Sequence, residues 1–186
     1  MKKTKHLFPA VMKLSAAVSG GLTLAFLLAD RVFPGTWFFA AAITFGTTCY
    51  HFSMRLLVGL LIPLFFTEVD PARRWFRPRA FEDRLFRFLK IRLWKKHVPT
   101  YAPDTFSLNL PLIQVARTMC ISELVHLFIL PLSFLPLLLA VPFGEFPVFL
   151  ITSILAAGID GVFILLQRYN RPRVLRLLEK KEACHE

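Results

Sequence analysis

Hydrophobic positions fall into four long blocks, at residues 14–29, 37–66, 112–141 and 146–166, and a polar block at 67–110 separates the second from the third. With its flanking residues each apolar block approaches or exceeds the roughly 20 residues a helix needs to cross hydrocarbon. The pattern predicts an all-α integral membrane bundle of about four transmembrane helices. A basic amphipathic helix should lie at the interface between spans 2 and 3. The chain reads as a single membrane domain, 1–186. It begins with an extra span and turn (1–36) and span 2 (37–66). An interfacial region (67–110), spans at 111–142 and 146–167, and a tail (168–186) complete it.

The first block has the basic start and small residues of a signal peptide. An uncleaved span is the preferred reading, because another apolar block follows where a polar mature start would be expected. Pro34-Gly35 marks a turn, and Trp37 suits an interface. The second block is interrupted by His51, Arg55 and Pro63. His51 and Arg55 are four apart and share a helix face. An arginine in a span costs about 2.5–3.5 kcal/mol on insertion scales, so Arg55 should face the bundle or reach for the interface. Asp160, between Gly158 and Gly161 in the fourth block, needs a partner for the same reason, and Arg55 or His51 is the candidate.

The polar block interleaves arginine and lysine with aromatic residues. Phe81, Leu85, Phe88 and Leu89 fall on one helical face, which predicts a helix lying on the membrane. A break should follow at 98–103, where two prolines occur.

Of the 186 residues 55% are hydrophobic, 20 of them Phe, yet the formal net charge is +11. Both extremes fit one chain because they are segregated along it. The cations stand beside the spans, which favours an anionic lipid surface over nucleic acid as their partner. Charge places both termini in the cytoplasm. Cys49, Cys120 and Cys184 have neither redox nor metal spacing. Cys120 reads as a small buried residue more readily than as a nucleophile.

Two stretches carry candidate chemistry. Glu123 and His126 are three apart at the start of the third span, a spacing that suits a general base and its orienting carboxylate. A Glu–Arg bridge between helices is the structural alternative; a metal site would need His51 as a third ligand, and none is expected. The second stretch is Gln167-Arg168-Tyr169-Asn170-Arg171-Pro172-Arg173, dense in donors at the mouth of the last span. Pro172 should break or turn the chain there.

Trp94-Lys95-Lys96, Glu123-Leu124-Val125-His126 and Gln167 to Arg173, in that order, resemble the glycosyl-4,4'-diaponeurosporenoate acyltransferase family over roughly residues 51–178. These are small bacterial membrane enzymes of staphyloxanthin-type carotenoids. The resemblance implies transfer of a fatty acyl group to a sugar hydroxyl of a glycolipid or glycosylated carotenoid. It implies no bound cofactor; the donor would be an acyl thioester of coenzyme A or carrier protein. His126 would be the base and Glu123 its orienter. Arg168, Asn170 and Arg171 would hold donor phosphates or the oxyanion, and Tyr169 and Trp94 would mark the interface. Lys95, Arg173, His51 and Arg55 complete the expected substrate-binding set. The family tends to carry a further acid and base before Glu-x-x-His; this chain reads Thr118-Met119-Cys120-Ile121-Ser122 there. The likeness therefore supports the reaction class more than the acceptor. Other lipid-modifying transfer, such as methylation, and a non-catalytic lipid-binding or adaptor role are the alternatives; the oligomeric state is left open.

Overall fold

The computed structural model describes residues 7–33, 36–98 and 110–184. Lys2, Lys3, Lys5, His6, the Pro34-Gly35 turn and the stretch 99–103 lie outside them. The described residues are helical, with no strand among them. Helices α1 (Leu7–Val32) and α2 (Thr36–Phe65) form an antiparallel pair. The segment that follows holds a short 3-10 turn, Arg74–Phe76, then α3 (Glu82–Phe88) and α4 (Ile91–Trp94). Helix α5 (Leu112–Leu132) leads through a 3-10 turn, Leu135–Leu139, into α6 (Ala140–Phe143), and α7 (Phe146–Ala183) returns. Four stretches are long and apolar enough to cross a membrane: Pro9–Val32, Trp37–Phe65, Leu112–Phe143 and Phe146–Ala183. The protein is a four-span helical membrane protein.

Helix α1 packs chiefly on α2. Gly20 permits the close approach: a Cβ there would sit 3.3 Å from Cys49 Sγ. Phe26 stacks on Phe45, with centroids 5.5 Å apart. The outer face of α1 leaves Leu14, Leu24 and Leu28 exposed, as a lipid-facing helix does.

The centre of the molecule is α2, α5 and α7. Met54 and Val58 of α2 pack on Ile129 of α5, and the Tyr50 hydroxyl donates to the Leu132 carbonyl at 2.8 Å. Val115, Ala116 and Met119 pack on Val174, and the Gln167 amide donates to Ser122 Oγ at 3.2 Å. Helices α5 and α7 thus run antiparallel, with residue numbers rising on one as they fall on the other.

Two expectations are corrected. The helix does not break at Pro172 but continues to Ala183. Proline removes one intrahelical bond, but tertiary contacts hold the helix on both sides of it. Tyr169 and Arg171 are buried before it and Val174 after it, and Arg173 Nη1 donates to the Tyr169 carbonyl. The expected single interfacial helix is instead two short ones, because Lys90 takes a left-handed conformation, φ 49°. That corner lets Phe86, Leu89, Ile91 and Trp94 all pack toward Leu166 and Tyr169 of α7. Phe81 and Phe88 of the predicted apolar face remain exposed.

Candidate functional site: two ionic clusters along one helix pair

Helices α5 and α7 carry acids and bases facing each other, with α2 and the 66–98 segment closing the sides. The polar groups form two clusters. Asp160 and Arg168 are eight residues apart on α7, which separates the clusters by about 12 Å along the axis.

The inner cluster is centred on Asp160, only 1% exposed. One carboxylate oxygen pairs with Arg55 Nη2, and the other lies 2.8 Å from His126 Nδ1. Arg55 also donates to the carbonyls of His51 and Ala156, each at 2.9 Å. A mid-span arginine is tolerable when its charge is paired and its terminal nitrogens are engaged in this way. The His126 ring lies nearly parallel to Phe163, with centroids 4.7 Å apart. Carboxylate on one edge and ring on one face fix the imidazole. Its Nε2 makes no hydrogen bond to a described residue. His51 is buried beside Arg55, and neither ring nitrogen has a partner among the described residues.

The outer cluster is centred on Glu123, 0% exposed. It accepts from Arg168 Nε at 2.9 Å and pairs with Arg171 Nη1. Arg168 also pairs with Glu82 of α3 and donates to the Trp75 carbonyl at 3.1 Å. Arg171 donates to the Phe76 carbonyl at 2.7 Å, and its guanidinium lies 4.9 Å from the Phe76 ring centroid. Two arginines of α7 therefore fasten α5 and the 3-10 turn together. Cys120 is fully buried next to them, packed with Val69 and Phe76.

Beyond this cluster Tyr169 is buried under the α3–α4 corner, edge-on to Phe86 at 5.4 Å. Arg173 stands 3.5 Å and Lys95 4.9 Å from its ring centroid. Lys95 Nζ donates to Asn170 Oδ1 at 3.3 Å. Trp94 Nε1 donates to the Leu89 carbonyl at 2.8 Å. Tyr169 and Trp94 are thus packing residues of the corner.

These contacts redraw the expected pairings. Glu123 does not orient His126, because both its oxygens are taken by arginines; Asp160 does so instead. Arg168 and Arg171 are engaged by carboxylates and carbonyls, so their charge is spent within the protein. Lys95, Asn170 and Arg173 do come together around Tyr169, and Arg55 does answer Asp160. The role of Asp160 had a signal in the sequence, the cost of a lone acid in a span. Glu82 had none beyond its place among many surface charges.

A family model described as glycosyl-4,4'-diaponeurosporenoate acyltransferase matches residues 72–180. No curated protein and no solved structure matches the chain. The matched segment begins after α2, later than the roughly 51–178 over which the sequence resembles the family, and leaves out His51 and Arg55. It contains His126, Asp160 and the whole outer cluster. The family's name is that of an acyltransferase acting on a glycosylated carotenoid. The match spans more than half of the chain, and on it the protein belongs to the glycosyl-4,4'-diaponeurosporenoate acyltransferase family.

Proposed function

We propose that the protein transfers a fatty acyl group from a thioester of coenzyme A or acyl carrier protein to a sugar hydroxyl of a glycosylated carotenoid or another glycolipid. The observation that carries this reading is His126. It lies within the family segment, with Nδ1 held by Asp160 and Nε2 left for a substrate. As general base, Nε2 takes the hydroxyl proton as the oxygen attacks the thioester carbonyl carbon. The new C–O bond forms, the C–S bond breaks, and the proton passes from His126 to the departing thiolate. Asp160 stabilises the transient imidazolium, as an orienting carboxylate does in other acyl-transfer sites. The acceptor's apolar part would lie against the lipid-facing helices.

The test is lipid mass spectrometry on cells with the intact protein, without it, and with His126→Ala. A glycolipid that gains an acyl mass only with the intact protein supports the reading. A folded protein that leaves every glycolipid unchanged, in cells containing candidate acceptors, favours a lipid-binding role. The Glu123–Arg168–Arg171 network, with both carboxylate oxygens taken by arginines, would suit that role as packing.

The end of the bundle carrying residues 66–98 would face the cytoplasm of a bacterial plasma membrane, together with both termini. Its excess of arginine and lysine supports this. Cys184 is exposed near the end of α7, so a membrane-impermeant maleimide should leave it unlabelled in intact cells and label it in inverted vesicles. Labelling in intact cells would reverse the topology.

A further inference from the structure

A cleft of about 500 Å³ opens between the α3–α4 corner and α7. Arg87, Lys90, Arg92 and Arg173 line it beside Tyr169, with Asp83 as the acid on its wall. None of these four cations has a carboxylate within ion-pair distance among the described residues. Arg87 Nε reaches only the Asp83 carbonyl, at 3.3 Å, and Arg173 the Tyr169 carbonyl. By contrast Arg168 and Arg171, on the same helix as Arg173, are both neutralised by glutamates.

The backbone gathers these charges rather than spreading them. On a continuous helix Arg87 and Arg92 would be five residues apart and splayed. The left-handed Lys90, a conformation unusual for a side-chain-bearing residue, turns the chain so that both line one cleft. Like charges so placed repel one another unless an anion joins them. Lys95, beside the cleft, shows the same crowding: burial, then Arg173 and Arg92, lower its pKa from the ordinary lysine value.

We propose that this cleft is a phosphate-binding site. Its guanidinium groups would grip phosphate oxygens through charge-assisted bonds, and the Tyr169 ring, covered by Arg173, would brace one of them. Two sources supply that chemistry: the phosphates of a coenzyme A thioester, or the headgroup of an anionic phospholipid. That the ligand is the acyl donor rests on the acyl-transfer reading; that the cleft takes phosphate does not.

The experiment is a binding measurement, independent of turnover. Full-length protein in phosphatidylcholine nanodiscs is titrated with coenzyme A. In parallel, phosphatidylglycerol retention is followed by native mass spectrometry. Wild type is compared with Arg87→Gln/Arg92→Gln/Arg173→Gln and with Arg74→Gln/Arg84→Gln/Arg117→Gln, which removes equal charge away from the cleft. The cleft variant should weaken binding about tenfold or more, and the control less than about twofold. Loss confined to coenzyme A supports the site and names the soluble source. Loss confined to phosphatidylglycerol supports it and names the headgroup. Equal loss in both variants, or no loss in either, overturns the site. A wild type that acylates glycolipids yet shows either of those last results loses the cleft and keeps the reaction.

Discussion

Asp160→Asn should fold and lose acyl transfer by about 10²- to 10⁴-fold, with little change in KM. The carboxylate of Asp160 answers Arg55 with one oxygen and His126 Nδ1 with the other. An amide keeps one oxygen, which Arg55 would claim. Its NH2 then meets Nδ1 and holds the imidazole in the tautomer with the proton on Nε2, the nitrogen that must accept one. Arg55 retains the carbonyls of His51 and Ala156, so the helices stay packed. Turnover of a radiolabelled donor, with a melting curve on the same sample, measures both effects. A fully active D160N protein would remove Asp160 from the mechanism and leave it a packing residue.

The largest stability loss should come from Glu123→Ala. Its carboxylate is 0% and the Arg171 side chain 1% exposed, so the substitution strands a buried guanidinium. Breaking such a pair from one side costs about 3–5 kcal/mol. Replacing both partners, as in Glu123→Leu with Arg171→Met, should recover much of that, because no unpaired charge remains. Glu82→Ala should cost less: Arg168 keeps Glu123 and the Trp75 carbonyl, and is partly exposed at 12%. Melting temperatures in detergent, with size-exclusion profiles, rank the three variants. If Glu82→Ala proved the more damaging, the weight of the cluster would lie on Arg168 and not on Arg171.

The spans were legible because length and hydropathy alone demand them. The partner of Asp160 was half legible: a mid-span acid is too costly to leave unpaired, which pointed to Arg55 or His51, and Arg55 is the one that pairs. Glu123 and His126 misled for a physical reason. Three residues along a helix place two side chains on neighbouring lines of one face, yet each can lean to a different residue of the facing helix. Which one it meets depends on the register of α5 against α7, and register is not written in the spacing of either helix. Pro172 misled similarly: its local preference is real, but the buried contacts of Tyr169, Arg171 and Val174 outweigh one missing hydrogen bond. The Lys90 corner left no mark, since nothing in a Leu-Lys-Ile sequence announces a left-handed residue.

Arg55 is contributed by α2, which precedes the segment shared with the family at 72–180. The stretch that sequence comparison delimits is therefore not the unit that can be cut out and moved. A chimera grafted at residue 72, or a minimal version built from the shared segment alone, would insert an acid into hydrocarbon without its cation. The same graft would slacken the anchor of His126. Boundaries for this protein are better drawn through its charge pairs than through its alignment, and by that measure the second helix belongs with Asp160 and His126.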